Sequence, residues 1–132
     1  MPERTSIDLP GFRHVNPIPA AARIGPFLAS GALTGRDPLT RAMPPTLDEQ
    51  CANLFAHVRA LMAAAGGSPD HILRMTFHLA DPGDRKALNR EWLAMFPDPA
   101  HRPARQAVAA HLDGSARIHC DLLAVLPDDP AV

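Results

Sequence analysis

The chain contains no tyrosine, one tryptophan and five phenylalanines in 132 residues, so aromatic side chains make up 5% of it. A surface that binds single-stranded nucleic acid by stacking bases needs exposed rings interleaved with basic residues. That interleaving is absent here. Basic excess is lacking as well: thirteen Lys and Arg stand against fourteen Asp and Glu, for a formal net charge of −1. The electrostatic footprint of a phosphate-backbone binder is therefore missing, and nucleic acid is not an expected partner. Cysteine is scarce. Cys51 and Cys120 form no CxxC pair and have no closely spaced Cys or His partners, which argues against a disulfide framework and against zinc. Seven histidines are scattered with no HExxH-type spacing, so no metal site is expected. No apolar run approaches the roughly 20 residues of a membrane-spanning helix, and "MPERTSIDLPG" has no hydrophobic signal region. The reading is a soluble, cytoplasmic protein without membrane partners.

The 46% of apolar residues and 20% of charged ones are those of a globular chain, and the length suits one domain spanning 1–132. Fifteen prolines fall mainly before Leu47 and after Phe96 and punctuate short extended pieces around two helices. "ARIGPFLASGAL" (Ala22 to Leu33) reads as a strand running into a tight feature at Ser30-Gly31, with "FRHVNP" before it as a short edge strand. The segment from Gly35 to Pro45 reads as a loop.

Thr46-Leu47-Asp48-Glu49 is a capping box that opens the first helix, and Gly66-Gly67 closes it. Leu47, Cys51, Leu54, Phe55, Val58, Leu61, Met62 and Ala65 give that helix one apolar stripe. "HILRMTFHLAD" alternates as a strand does, with Leu73, Met75, Phe77 and Leu79 on one side and Ile72, Arg74, Thr76 and His78 on the other. A second helix from about Asp84 carries Leu88, Trp92, Met95 and Phe96 and stops at Pro97. The end of the chain reads as a hairpin turning at Asp113-Gly114-Ser115.

This order predicts an α+β fold with both helices on one face of a sheet. The hairpin register sets Ala107 opposite Asp121 and Ala109 opposite His119, with Arg105 one step along the same open face. Small side chains with a few charges on an uncovered face suit a second subunit, so a homo-oligomer is expected. Arg105, His119 and Asp121 then form a patch floored by alanines, sized for a small molecule. The arginine fork matches a carboxylate, either Asp121 of the same chain or that of a ligand. Ser30-Gly31 is a strand end, or a place where backbone amides meet a ligand carboxylate. Cys51, Cys120 and Trp92 read as core.

Taken together, "ARIGPFLASG", "TLDEQCANLFAHVRALMAAAGG", "HILRMTFHLADPGDRKALNREWLAMF" and "PARQAV" resemble, in order and spacing, the Rid family of YjgF-type imine deaminases, also called endoribonuclease L-PSP proteins. The resemblance spans about Asn16 to Val125. It implies a chorismate-mutase-like α+β fold, a mixed sheet with two helices on one face, assembled as a homotrimer with a ligand cleft at each subunit interface. It implies that Arg105 grips the substrate carboxylate, that the Gly31 amide assists, and that Ser30 and Ala107 line the site. The implied reaction is hydrolysis of 2-imino or enamine acids to 2-keto acids and ammonia, with no cofactor. The alternative is a trimeric module that binds keto or amino acids without turnover. Deaminases of the family usually carry a glutamate where this chain has His119, which makes His119 the candidate catalytic partner of Arg105. "SGA" stands in place of the commoner Ser-Gly-Gln, and Ala107 where many members have cysteine.

Overall fold

A computed structural model describes residues 3–9, 11 and 16–127. Seven strands, β1 (Thr5–Ile7), β2 (Ala21–Ile24), β3 (Phe27–Ser30), β4 (Leu33–Thr34), β5 (Ile72–Leu79), β6 (Ala104–Ala109) and β7 (Ile118–Val125), form one sheet. Two helices, α1 (Leu47–Ala64) and α2 (Lys86–Met95), complete the α+β architecture. The sheet order is β1-β2-β3-β7-β5-β6, with β4 also on β7. It is mixed: β5 and β6 run parallel and every other pair antiparallel.

Helix α1 starts where expected. Thr46 Oγ1 accepts from the Glu49 amide at 3.1 Å, satisfying one of the donors that a helix start leaves open. Its stripe, with Leu54, Phe55, Val58, Leu61 and Met62 all fully buried, lies on the sheet. Phe55 stacks on Phe77 of β5 with ring centroids 5.8 Å apart, and Trp92 of α2 meets the same Phe77 edge-on at 6.2 Å. Both helices therefore cover one face, and Met75, Phe77, Leu79, Cys120 and Leu122 form its floor.

Four expectations need correction. Leu73 does not share a side with Met75, Phe77 and Leu79: the register shifts between Ile72 and Arg74, which buries Ile72 and leaves Leu73 60% exposed. The stretch from Ala22 to Leu33 is not one strand: β2 and β3 form a hairpin through Gly25-Pro26, where Gly25 takes φ +58°, and β4 follows after a break at Gly31-Ala32. The continuous apolar run hid the turn, because Phe27 is two-thirds exposed and Pro26 fills a turn position. The proposed edge strand at "FRHVNP" falls mostly on residues 12–15, outside the described ones; an edge strand does form, at Thr5–Ile7 on β2. The closing hairpin does not exist. β5 lies between β6 and β7, pairing in parallel with one and antiparallel with the other, so the segment 110–117 is a crossover rather than a tight turn. An alternating strand pattern reports faces, not neighbours.

Candidate functional site

The corrected topology separates what the hairpin register had joined. In the β5–β6 ladder Arg105 faces Met75, Ala107 faces Phe77 and Ala109 faces Leu79, all on the helix side. In the β5–β7 ladder His78 faces His119 and Thr76 faces Asp121, on the open side. Arg105 and His119 thus lie on opposite faces of the sheet, and within one chain they do not form one patch.

Arg105 sits near the start of β6, at the end of the sheet order. Its Cζ lies 5.1 Å from the Trp92 ring centroid and 5.9 Å from that of Phe77, a cation resting on two aromatic faces. Asp121 is not its partner: Asp121 Oδ2 accepts from His78 Nε2 at 3.1 Å on the other face. Among the described residues, no carboxylate lies within 4 Å of the Arg105 guanidinium. Partial burial and the neighbouring Arg85 both push its pKa below the ordinary arginine value, yet a guanidinium stays charged across the physiological range. Arg85 donates to the Pro82 carbonyl and has no acid within salt-bridge range either, again among the described residues. Two cations thus stand together without a carboxylate partner among the described residues, one of them half-buried over tryptophan. Trp92 is core, as its spacing indicated, and also carries the Arg105 guanidinium on its ring.

A second candidate region surrounds His119, on the open face. Its ring stacks on His78 with centroids 4.8 Å apart and planes 23° from parallel. Its Nδ1 is sealed from solvent and meets no hydrogen-bond partner among the described residues. Burial first, and then His78, lower the imidazole pKa below its ordinary value, against the opposing pull of Asp121 and Asp113, so the ring is neutral at pH 7. His119 opens on a cleft of about 730 Å³ whose walls include Ala20, Ala32, Thr34, Arg36, Arg41 and Asp113.

Ser30 and Gly31 stand at the edge of this region with their polar groups committed. Ser30 Oγ donates to the Gly31 carbonyl at 2.8 Å and accepts from the Leu122 amide at 2.9 Å. The Gly31 amide donates to the Ala20 carbonyl at 2.9 Å. In this conformation the pair ties β3 to β2 and β7.

The loops that wall the cleft are clasped by Gln50, a buried side chain of α1. Its Nε2 donates to the Pro44 and Ser115 carbonyls at 2.9 and 3.1 Å, and its Oε1 accepts from the Arg117 amide at 2.8 Å. Asn53 adds a bond to the Gly35 carbonyl at 3.1 Å. Gly35 itself is compelled: a Cβ there would fall 2.4 Å from the Gln50 carbonyl oxygen. A polar residue inside an apolar stripe was the signal for Gln50. Its partners, distant in sequence, gave none. Among the described residues, no three His, Cys, Asp or Glu side chains converge as metal ligands would, and no helix is long and apolar enough to cross a membrane.

The sequence profile of the endoribonuclease L-PSP family matches residues 15–126. The chain belongs to that family, the YjgF-type Rid proteins. A RutC family protein of Aquifex aeolicus (strain VF5) is 28% identical over 112 residues, covering 84% of this chain and 90% of the relative. The crystal structure of RidA from the Antarctic bacterium Psychrobacter sp. superposes with a TM-score of 0.85 at 23% identity, covering 92% of this chain and 99% of the other. Yeast Mmf1 gives 0.86 at 19% identity over 95% and 100%. These structural likenesses establish the Rid fold.

Proposed function

We propose that this Rid protein captures small 2-imino acids by their carboxylate at Arg105 and hydrolyses them to 2-keto acids and ammonia without a cofactor. The observation that carries the reading is the Arg105 guanidinium, stacked on Trp92, beside Arg85 and without an anionic partner. A fork of this kind pairs bidentately with a carboxylate, and its aromatic bed fixes the plane in which that carboxylate lies. Holding the acid group orients the adjacent imine carbon, which is where most of the rate gain for so reactive a bond arises. Water adds to that carbon, the carbon–nitrogen bond breaks, and the nitrogen leaves as ammonia with the protons of the water.

His119 belongs to this reaction only if a neighbouring copy supplies it, since it lies on the sheet face opposite Arg105. A homotrimer with the cleft between subunits brings a β6 edge of one copy to the open face of another. The exposed apolar residues of that open side, among them Leu73, Leu123 and Val125, support such an assembly. Gly31, Ser30 and Ala107 complete the proposed ligand surface; the Gly31 amide serves it only by exchanging its bond to Ala20.

A coupled assay decides the activity. An amino-acid oxidase generates 2-iminobutyrate, and the wild type is expected to accelerate keto-acid formation while Arg105→Ala does not. No acceleration by the wild type ends the catalytic reading.

Binding without turnover is the second reading, and the sealed Nδ1 of His119 favours it. A buried N–H without an acceptor is rarer than a buried bare acceptor, so the neutral ring carries its proton on Nε2 and presents a donor, not a base, to the cleft. A donor suits a carbonyl or carboxylate oxygen of a held keto acid. Under this reading 2-ketobutyrate raises the thermal midpoint, Arg105→Ala abolishes the rise, and imine hydrolysis stays at background.

A further inference from the structure

The cleft beside His119, at about 730 Å³, is the size of a site for a molecule well beyond a four-carbon acid. Its loop wall is built to present cations. Asp37 Oδ1 accepts from the amides of Leu39 and Thr40 at 2.8 and 3.0 Å, so the acid nearest in sequence is spent on the backbone turn and not on an arginine. The turn closes with the Arg41 amide on the Asp37 carbonyl and the Asp37 amide on the Ala42 carbonyl. Arg36 Nη1 donates to the Arg41 carbonyl at 3.3 Å, which holds the two arginines together. Arg41 takes φ +64°, the sole non-glycine left-handed residue among those described. A long side chain in that conformation is strained, and such strain concentrates where a side chain has to point in a required direction.

Neither Arg36 nor Arg41 has a carboxylate within 4 Å among the described residues. Across the cleft stand His111, neutral His119 and one acid, Asp113. The wall is therefore net positive although the chain as a whole carries −1.

We propose that this cleft recognises a second acidic group on the ligand, so that the substrate class is 2-oxo or 2-imino acids bearing an additional side-chain carboxylate, bound by Arg41 and Arg36. The inference rests on the reading that Arg105 of a neighbouring copy takes the 2-carboxylate, since Arg105 of the same chain lies on the opposite face of the sheet, and it names the part of the ligand that lies beyond. Recognition by two cations discriminates charge: a ligand of the same size with a neutral end leaves both guanidinium groups to water.

Isothermal titration of the full chain with 2-oxoglutarate, its neutral-ended amide 2-oxoglutaramate, and 2-oxobutyrate tests this at low ionic strength, where screening is weakest. The diacid is expected to bind at least tenfold more tightly than the amide. Arg41→Gly should collapse that ratio to near one without lowering the thermal midpoint, since glycine adopts the left-handed backbone freely. Arg105→Ala should weaken all three ligands. Equal affinity of diacid and amide in the wild type, or a ratio that survives in Arg36→Gln/Arg41→Gly, overturns the inference while 2-oxobutyrate binding leaves the Arg105 reading standing. Failure of the wild type to bind any of the three overturns both.

Discussion

Single residues divide sharply in what holds them. Gln50 is buried and has three bonds to backbone groups of two separate loops. Gln50→Leu keeps the volume but strands those groups, and each buried polar group left unpaired costs about 1–3 kcal/mol. Chemical denaturation should register a loss of that order or larger, together with loss of ligand binding as the cleft loops come free. His57, buried on α1 against the Thr34 carbonyl, behaves in the opposite electrostatic sense. Desolvation pushes its pKa from 6.5 down to about 4, so the unfolded chain binds the proton more readily than the folded one between those values. The stability this neutral ring supports is complete above pH 6.5 and drains away as pH falls toward 4. Thermal midpoints of the wild type should fall more steeply over that window than those of His57→Asn, and parallel curves would count against the assignment. Cys51 and Cys120 are buried in the core, and burial raises both thiols, Cys51 to about 12, which leaves them poor nucleophiles as their sequence positions implied.

At the scale of elements, the open side of the sheet carries a short electrostatic circuit: Asp121 holds His78, and His78 stacks on His119. His78→Gln removes the repulsion and leaves Asp121 to act on His119 alone. The His119 pKa, followed through its ring proton chemical shifts, is expected to rise; a fall or no change would sink the circuit. The start of α1 is a simpler case, where Thr46→Ala should cost roughly 1 kcal/mol through the lost cap. Helix α1, strand β5 and helix α2 were legible in the sequence because their periodicities and punctuation are local: the Thr46 cap, the alternation from Met75 to Leu79, Pro97 after Phe96. Arg105 was legible through its Pro-Ala-Arg context, but its surroundings were not. Alternation in β6 and β7 fixed which residues share a side within each strand, yet nothing local reveals that β5 intervenes and reverses the relation between them. The Gly25-Pro26 turn escaped for a related reason, since the residues around it are as apolar as those of a single long strand.

At the scale of the whole molecule, no helix covers one side of the sheet among the described residues, and Ile24, Phe27, Leu73, Leu123 and Val125 are exposed on it or at its margin. Sedimentation should return three copies per particle, and Leu73→Asp/Leu123→Asp should release single chains that no longer bind 2-ketobutyrate, because Arg105 and the His119 cleft then lie on molecules apart. The position of β7 has a consequence for biogenesis. Strand β7, the last of these seven in chain order, is the one inserted between β3 and β5, joining the two parts of the sheet. Until it emerges, the growing polypeptide holds two unjoined β fragments with bare backbone edges, a vulnerable interval in which chaperones have reason to attend it.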